Sequence, residues 1–201
     1  MFDSRLRPLI DPPINRLGAA LAARGVSADG VTLAGFATGV CAALAVCLGH
    51  FWAAFLLIAV NRLFDGLDGA VARATHLTDR GGYLDIVLDF AFYGLIPLAF
   101  AIHDPDHNAL AAAVLLASFY LNGAAFLAFA IMAEKRKLTT TAQGRKSLYY
   151  VAGLAEGTET IAVFLIMAAL PDWFPVVAMA FAALTFASAI ARVVAGALNL
   201  G

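Results

Sequence analysis

Several aspartates and arginines lie close together in a chain that is otherwise almost continuously apolar. The stretch covers residues 65–89 and reads DGLDGAVARATHLTDRGGYLDIVLD. Of the 201 residues, 62% are hydrophobic and 13% are charged, a composition outside the usual range of soluble domains. The sequence therefore predicts an integral membrane protein. Ionisable side chains are costly in a bilayer, so this stretch indicates a functional site.

The overall charge excludes one class of partner. The formal net charge is −1, whereas binding to a nucleic-acid backbone requires a large cationic surface. No nucleic-acid ligand is expected. The amino-terminal sequence MFDSRLRPLIDPP lacks an apolar core followed by a small-residue cleavage site, so we expect it to remain in the mature protein.

Six apolar stretches have roughly the length that crosses a bilayer. They cover residues 31–48, 51–74, 81–102, 109–133, 147–170 and 176–197. Before them, residues 4–24 place leucine and isoleucine at helical spacing with arginines elsewhere around the wheel, which predicts an interfacial helix kinked at Pro12 and Pro13. The expected fold is an all-α, polytopic membrane protein with six transmembrane helices and an N-terminal amphipathic interfacial helix. We expect one domain over 1–201, with the interfacial helix and entry over 1–30 and a six-helix bundle over 31–199.

The basic residues predict the orientation. Nearly all of the 13 Lys and Arg residues lie near the termini, in the loops 75–80 and 134–146, or at adjoining helix ends. The turns at 49–50, 103–108 and 171–175 contain none. By the positive-inside rule, both termini and the acidic stretch face the cytoplasm of a multi-pass protein in the cell's inner (plasma) membrane.

The acidic residues fall on facing surfaces of the second and third predicted spans, which form an antiparallel hairpin. Helical periodicity places small and acidic residues together: Asp65, Asp68, Gly69 and Ala72 on one span, and Gly81, Asp85 and Asp89 on the other. At a rise of about 1.5 Å per residue, Asp65 falls level with Asp89. Asp68 likewise falls level with Asp85.

Four converging carboxylates repel one another in a poorly solvated site. One or two divalent cations remove the repulsion, and an all-oxygen ligand set favours Mg²⁺ or Mn²⁺ over zinc. Since Mg²⁺ usually keeps coordination positions for substrate phosphates, a phosphate-bearing substrate is expected. Gly69 and Gly81 permit a close approach, and Arg73 offers a planar fork of donors for phosphate.

The stretch resembles the signature of the CDP-alcohol phosphatidyltransferase family, Asp-x-x-Asp-Gly-x-x-Ala-Arg, a spacer, and Gly-x-x-x-Asp-x-x-x-Asp. The matching positions are Asp65, Asp68, Gly69, Ala72, Arg73, Gly81, Asp85 and Asp89. The spacer, residues 74–80, has seven residues where the family usually has eight; the difference falls in the predicted loop.

The resemblance implies a reaction and a set of roles. CDP-diacylglycerol and an alcohol give a phospholipid and CMP, with glycerol 3-phosphate, inositol phosphate or an amino alcohol among the acceptors used by the family. The four aspartates would hold two metal ions, and the last one, Asp89, would be the general base. Gly69, Arg73 and Gly81 match positions that contact the nucleotide and its phosphates.

Residues outside the signature must select the acceptor. A cytoplasmic basic cluster is one candidate and consists of Lys135, Arg136, Lys137, Arg145 and Lys146. It could bind a phosphorylated acceptor, or it could anchor the chain to anionic headgroups. Glu156 and Glu159 share a helix face in the fifth predicted span. They could receive an ammonium group, complete the metal shell, or pair with Arg62 inside the bundle.

Two further possibilities follow from the apolar spans. Intramembrane aspartates also occur in ion- or proton-coupled transporters, which is the alternative function. The acids lie near one end of one hairpin and the chain has no evident internal repeat, which favours the enzyme. Spans rich in small residues could support a homodimer.

Overall fold

The computed structural model describes residues 3–136 and 157–200, and this part of the chain is helical. The described residues form seven α-helices: α1 Asp3–Ala23, α2 Ala28–Cys47, α3 Phe51–Ala74, α4 Asp79–His103, α5 Pro105–Lys135, α6 Gly157–Ala169 and α7 Phe174–Leu200. A short 3₁₀ turn, Pro171–Trp173, precedes α7. The described residues contain no strand, so the all-α prediction is confirmed.

Among the described residues, four helical segments are long and apolar enough to cross a membrane. They are Ala28–Cys47, Asp79–His103, Pro105–Lys135 and Pro171–Leu198. The second predicted span corresponds to α3, which has sufficient length but carries the charged residues of the acidic stretch. The fifth corresponds to α6, which is described over 13 residues, because the first part of that predicted span lies outside the described residues.

The turn predicted at 103–108 is shorter than expected. Helix α4 continues to His103, and α5 begins at Pro105. The Asp104 carboxylate caps α5 by accepting a 3.3 Å hydrogen bond from the His107 backbone N–H, and the His107 ring lies 2.9 Å away. This ring contact lowers the pKa of the Asp104 carboxyl. An aspartate cap followed by proline at the first helical position starts a helix, which is why the predicted loop is wrong.

Helix α2 packs against both α3 and α4, and two glycines allow the close approach. A Cβ at Gly35 would lie 2.8 Å from the Phe64 Cβ, and a Cβ at Gly39 would lie 2.6 Å from Phe92 Cδ2. The Asn61 side-chain amide donates a 2.9 Å hydrogen bond to the Gly35 carbonyl. This bond links α3 to the backbone of α2. Helix α2 therefore fixes the positions of the two helices that carry the aspartates.

Helix α1 packs against α3. Gly18 is buried, and a Cβ at that position would lie 2.5 Å from the Ala70 Cβ. Ile14 and Leu21 extend the contact by packing against a small cluster of buried residues that includes Val71. The N-terminal helix is thus part of the helical packing around the C-terminal half of α3.

Candidate active site

Three aspartates from two helices converge. The carboxylates of Asp65 on α3 and of Asp85 and Asp89 on α4 each offer an oxygen, and these atoms lie within 4.8 Å of one another. All three side chains are half-buried and line a cavity of about 20 Å³. This volume is enough for a water molecule or a metal ion. The structure thus brings together three of the four aspartates singled out from the sequence.

The fourth aspartate, Asp68, lines the same cavity but is held by α2. It is 7% exposed, and its Oδ2 accepts a 2.8 Å hydrogen bond from Thr32 Oγ1. Thr32 Oγ1 also lies 3.1 Å from the Ala28 carbonyl oxygen, which is an alternative acceptor for the single hydroxyl proton. Sequence reasoning on the α3–α4 hairpin missed Thr32. Its signal was a hydroxyl at the second position of the first apolar span.

We expect Thr32→Val to weaken the interaction of the site with divalent cations. Without the hydroxyl, the buried Asp68 carboxylate loses a charge-assisted hydrogen bond worth about 1.5–3 kcal/mol. The Mg²⁺ concentration for half-maximal binding of CDP should then rise by about tenfold or more, as measured by calorimetry on the purified protein. Thr32→Ser retains the donor and should behave as wild type. Equal Mg²⁺ dependence of the two variants would contradict a role for this bond.

An arginine next to the aspartates balances part of their charge. Arg62 lies one turn before Asp65 on α3, and its guanidinium forms an ion pair with the Asp65 carboxylate. The Arg62 side chain is 38% exposed and that of Asp65 is 22% exposed. Of the glutamates considered as partners for Arg62, Glu159 lies in the first turn of α6 and Glu156 lies outside the described residues.

The predicted nucleotide contacts lie at the end of α3 and the start of α4. Arg73 Nη2 donates a 2.9 Å hydrogen bond to Asn15 Oδ1 on α1, and Arg73 Nη1 lies 3.1 Å from where a Cβ of Gly69 would be. The Gly81 backbone N–H donates to Thr78 Oγ1 at 3.0 Å, which caps α4. The first turn of a helix favours anions such as phosphate. Arg73 follows Asp65 by eight residues on α3, and Gly81 precedes Asp85 by four residues on α4.

An ion pair joins the first turn of α2 to the first turn of α4 beside Gly81. Asp29 Oδ2 lies 3.4 Å from Arg80 Nε, and a Cβ at Gly81 would lie 3.3 Å from Asp29 Oδ1. The pair is mostly solvent-exposed on the arginine side, so its contribution to stability is small. Asp29 at the start of α2 thus lies beside the glycine that the family signature contains.

A larger cavity of about 800 Å³ opens beside the three aspartates and shares them as lining residues. Its other walls come from α5, α6 and α7 and combine aromatic and polar groups. Asn122 Oδ1 is buried there with no hydrogen-bond partner in the described part of the chain. Arg192 lies 5.4 Å from the Phe126 ring centroid. The sequence analysis did not assign Arg192 to the site, although a charge inside an apolar span was a signal for it.

The proposed acceptor residues have different positions. Lys135 and Arg136 are exposed at the end of α5 and are not among the described residues that line the two cavities. Glu159 precedes Thr160, which lines the larger cavity. The remaining candidates, Lys137, Arg145, Lys146 and Glu156, lie outside the described residues.

The donor set fits a divalent metal. Carboxylate oxygens are the ligands that Mg²⁺ and Mn²⁺ prefer, and the triad at Asp65, Asp85 and Asp89 contains no nitrogen or sulfur donor that would favour zinc. Three carboxylates so close together also require a cation or protons to balance their charge. Asp68 lines the same cavity and offers a fourth carboxylate.

Comparison with known proteins identifies the family. The sequence model of CDP-alcohol phosphatidyltransferases matches residues 26–194. The chain belongs to this family. It is also 46% identical over 200 residues to a protein named inner membrane protein YnjF from Escherichia coli K12, covering 100% of this chain and 97% of that protein.

A second relative shares part of the chain. An archaetidylinositol phosphate synthase from Pyrococcus horikoshii is 36% identical over 87 residues, which cover 43% of this chain and 46% of that synthase. Family membership and the apolar helices make this chain a membrane protein related to CDP-alcohol phosphotransferases. Members of the family are generally dependent on divalent metals, which agrees with the acidic triad.

Proposed function

We propose that the protein transfers a phosphatidyl group from CDP-diacylglycerol to an alcohol acceptor in a metal-dependent reaction that releases CMP, as a step of phospholipid biosynthesis. The observation that carries the proposal is the convergence of Asp65, Asp85 and Asp89, three signature residues of the family, at one small cavity. A metal-binding cluster at these positions suits a substrate with a pyrophosphate.

The chemistry assigns different tasks to the aspartates. Asp65, Asp68, Asp85 and Asp89 would hold Mg²⁺ or Mn²⁺, as two ions, which when bound stabilise negative charge on the phosphoryl oxygens and on the departing CMP. Asp89 would accept the proton of the acceptor hydroxyl. The acceptor oxygen then bonds to the lipid-side phosphorus, and the bond from that phosphorus to the oxygen of CMP breaks.

The residues at the end of α3 and the start of α4 would bind the nucleotide part of CDP-diacylglycerol. Arg73 would hold the phosphates through its planar fork. Gly69 and Gly81 would let the nucleotide approach the helix backbones closely. These assignments are supported by the positions of the three residues at the carboxyl end of α3 and the amino end of α4.

The larger cavity is our candidate for the acceptor, since it borders the proposed base Asp89. Its polar lining groups suit a hydroxylated molecule. Glu159 and Glu156 would receive the ammonium group of an amino alcohol. A phosphorylated acceptor, or anionic headgroups, would be attracted at the cytoplasmic surface by Lys135, Arg136, Arg145 and Lys146. The acceptor is therefore proposed as a class: glycerol 3-phosphate, inositol phosphate or an amino alcohol.

The proposed placement in the membrane has six spans. To the four apolar segments we add α3 and the fifth span predicted from the sequence, 147–170, with α1 as an amphipathic helix at the interface. This gives one domain over 1–201, consisting of the entry over 1–30 and the bundle over 31–199. Both termini and the active site would face the cytoplasm of an inner (plasma) membrane, and helices rich in small residues would allow a homodimer.

Release of CMP tests the function. The purified protein is incubated with CDP-diacylglycerol, Mg²⁺ and each acceptor in turn, and CMP is quantified. We expect release to depend on one class of alcohol, with formation of the matching phospholipid. Metal-dependent uptake of a solute into vesicles without CMP release would instead support a transporter, and no release with any acceptor would contradict the proposal.

A further inference from the structure

Helix α1 reaches the arginine at the end of the acidic stretch. Asn15 Oδ1 accepts a 2.9 Å hydrogen bond from Arg73 Nη2. The Arg73 guanidinium also folds back along α3, because its Nη1 lies 3.1 Å from the Cβ position of Gly69, four residues earlier. The side chain is therefore held between its own helix and α1. A guanidinium has five N–H donors, so the bond to Asn15 leaves others for phosphate oxygens.

Close packing on both sides of Asn15 fixes its position. Gly18 is buried, and its Cβ position lies 2.5 Å from the Ala70 Cβ and 2.8 Å from the Ala70 carbonyl carbon. On the other side, the Ile14 Cδ1 lies 3.0 Å from the Cβ position of Gly66. These contacts determine how α1 lies along α3, and interiors packed in this way do not shift freely. The amide of Asn15 is thus presented to Arg73 by a fixed helix.

We propose that Asn15 is a positioning residue for nucleotide binding, which makes α1 part of the binding site for the donor substrate as well as a membrane-surface helix. The inference rests on the proposed function, since it takes Arg73 as a ligand of the CDP phosphates. A free arginine side chain loses rotamer freedom when it binds. The bond to Asn15 removes part of that freedom before the nucleotide arrives, so less affinity is lost on ordering.

Substitution of Asn15 provides the first test. In Asn15→Ala, we expect the Kd for CDP in the presence of Mg²⁺ to rise about three- to tenfold, the effect of having to order one arginine side chain on binding. The KM for CDP-diacylglycerol should rise in parallel with little change in kcat. The thermal midpoint of the nucleotide-free protein should stay near that of wild type, because Asn15 is exposed. A wild-type Kd in this variant would overturn the inference.

The neighbouring residue supplies a matched control. Arg16 is exposed and follows Asn15 on α1, and Arg16→Gln changes a polar surface side chain without touching the bond to Arg73. We expect its Kd for CDP to stay within about twofold of wild type, since an exposed charge has a small effect. A larger loss in Arg16→Gln than in Asn15→Ala would show that the surface charge of α1, and not Asn15, governs affinity.

A double-mutant cycle identifies the group through which Asn15 acts. Arg73→Lys keeps the charge but removes the planar fork. If Asn15 acts through the guanidinium, adding Asn15→Ala to this variant should change the Kd by less than about twofold, because coupled residues are not additive. If the double variant instead raises the Kd by the product of the two separate factors, the inference is overturned.

A second variant tests the role of the helix. Gly18→Leu should push α1 away from Ala70 and weaken CDP binding by a similar factor, with no further loss on adding Asn15→Ala. Undiminished CDP binding in Gly18→Leu would count against a role of α1 in nucleotide binding. If the wild-type protein does not bind CDP with Mg²⁺, the proposed function fails; if it binds and Asn15→Ala binds equally well, this inference alone fails.

Discussion

CMP release by Asp89→Asn is expected to fall by about 10²–10⁴-fold, the usual contribution of a general base. The amide has nearly the shape of the carboxylate but cannot accept the proton of the attacking hydroxyl. Because Asp89 is also one of three converging carboxylates, the change further removes one negative charge from the proposed metal site. Steady-state kinetics should show the loss mainly in kcat, while binding of CDP-diacylglycerol remains measurable.

Asp79→Asn is the matched control for this prediction. Asp79 is an exposed carboxylate in the first turn of the same helix, α4, and it is not among the residues that line the two cavities. Its CMP release should remain close to wild type. Near-normal turnover in Asp89→Asn would exclude Asp89 as the base, and equal losses in the two variants would point to a general effect on the fold of α4.

Removal of divalent metal should abolish both CMP release and tight CDP binding. A chelator leaves the carboxylates of Asp65, Asp85 and Asp89 without a cation to balance them, and a pyrophosphate would then meet like charge. Added Mg²⁺ or Mn²⁺ should restore activity. Asp85→Asn should raise the metal concentration required for half-maximal activity by more than about a hundredfold, since even residues outside the ligand shell cost 10–100-fold.

The control for the metal site is an aspartate on a different helix. Asp106 is exposed in the first turn of α5, and Asp106→Asn should leave the metal dependence unchanged. Activity that persists in the presence of the chelator, or an Asp85→Asn variant with the wild-type requirement for Mg²⁺, would contradict a carboxylate-bound metal.

Periodicity predicted much of the acidic site. A spacing of four residues placed Asp85 and Asp89 on one face of a helix. The short connection between the second and third spans placed Asp65 at the same height along the hairpin as Asp89. The structure brings these three together. Periodicity could not predict that Asp68 would contact α2, because the hairpin argument considered only two helices. Periodicity also did not predict the length of the turn between α4 and α5, because the Asp104 cap starts α5 inside the predicted turn.

The sequence by itself determined the class of protein, the helical architecture and the pattern that identifies the family. These features depend on composition and on spacing within one helix, which the order of residues fixes directly. Only the tertiary structure decided which side chains meet across helices. Thr32 contacts Asp68 across 36 positions, and Asn15 contacts Arg73 across 58. Such pairs follow from the close packing of helices at glycines such as Gly18, where the backbones approach because no side chain keeps them apart.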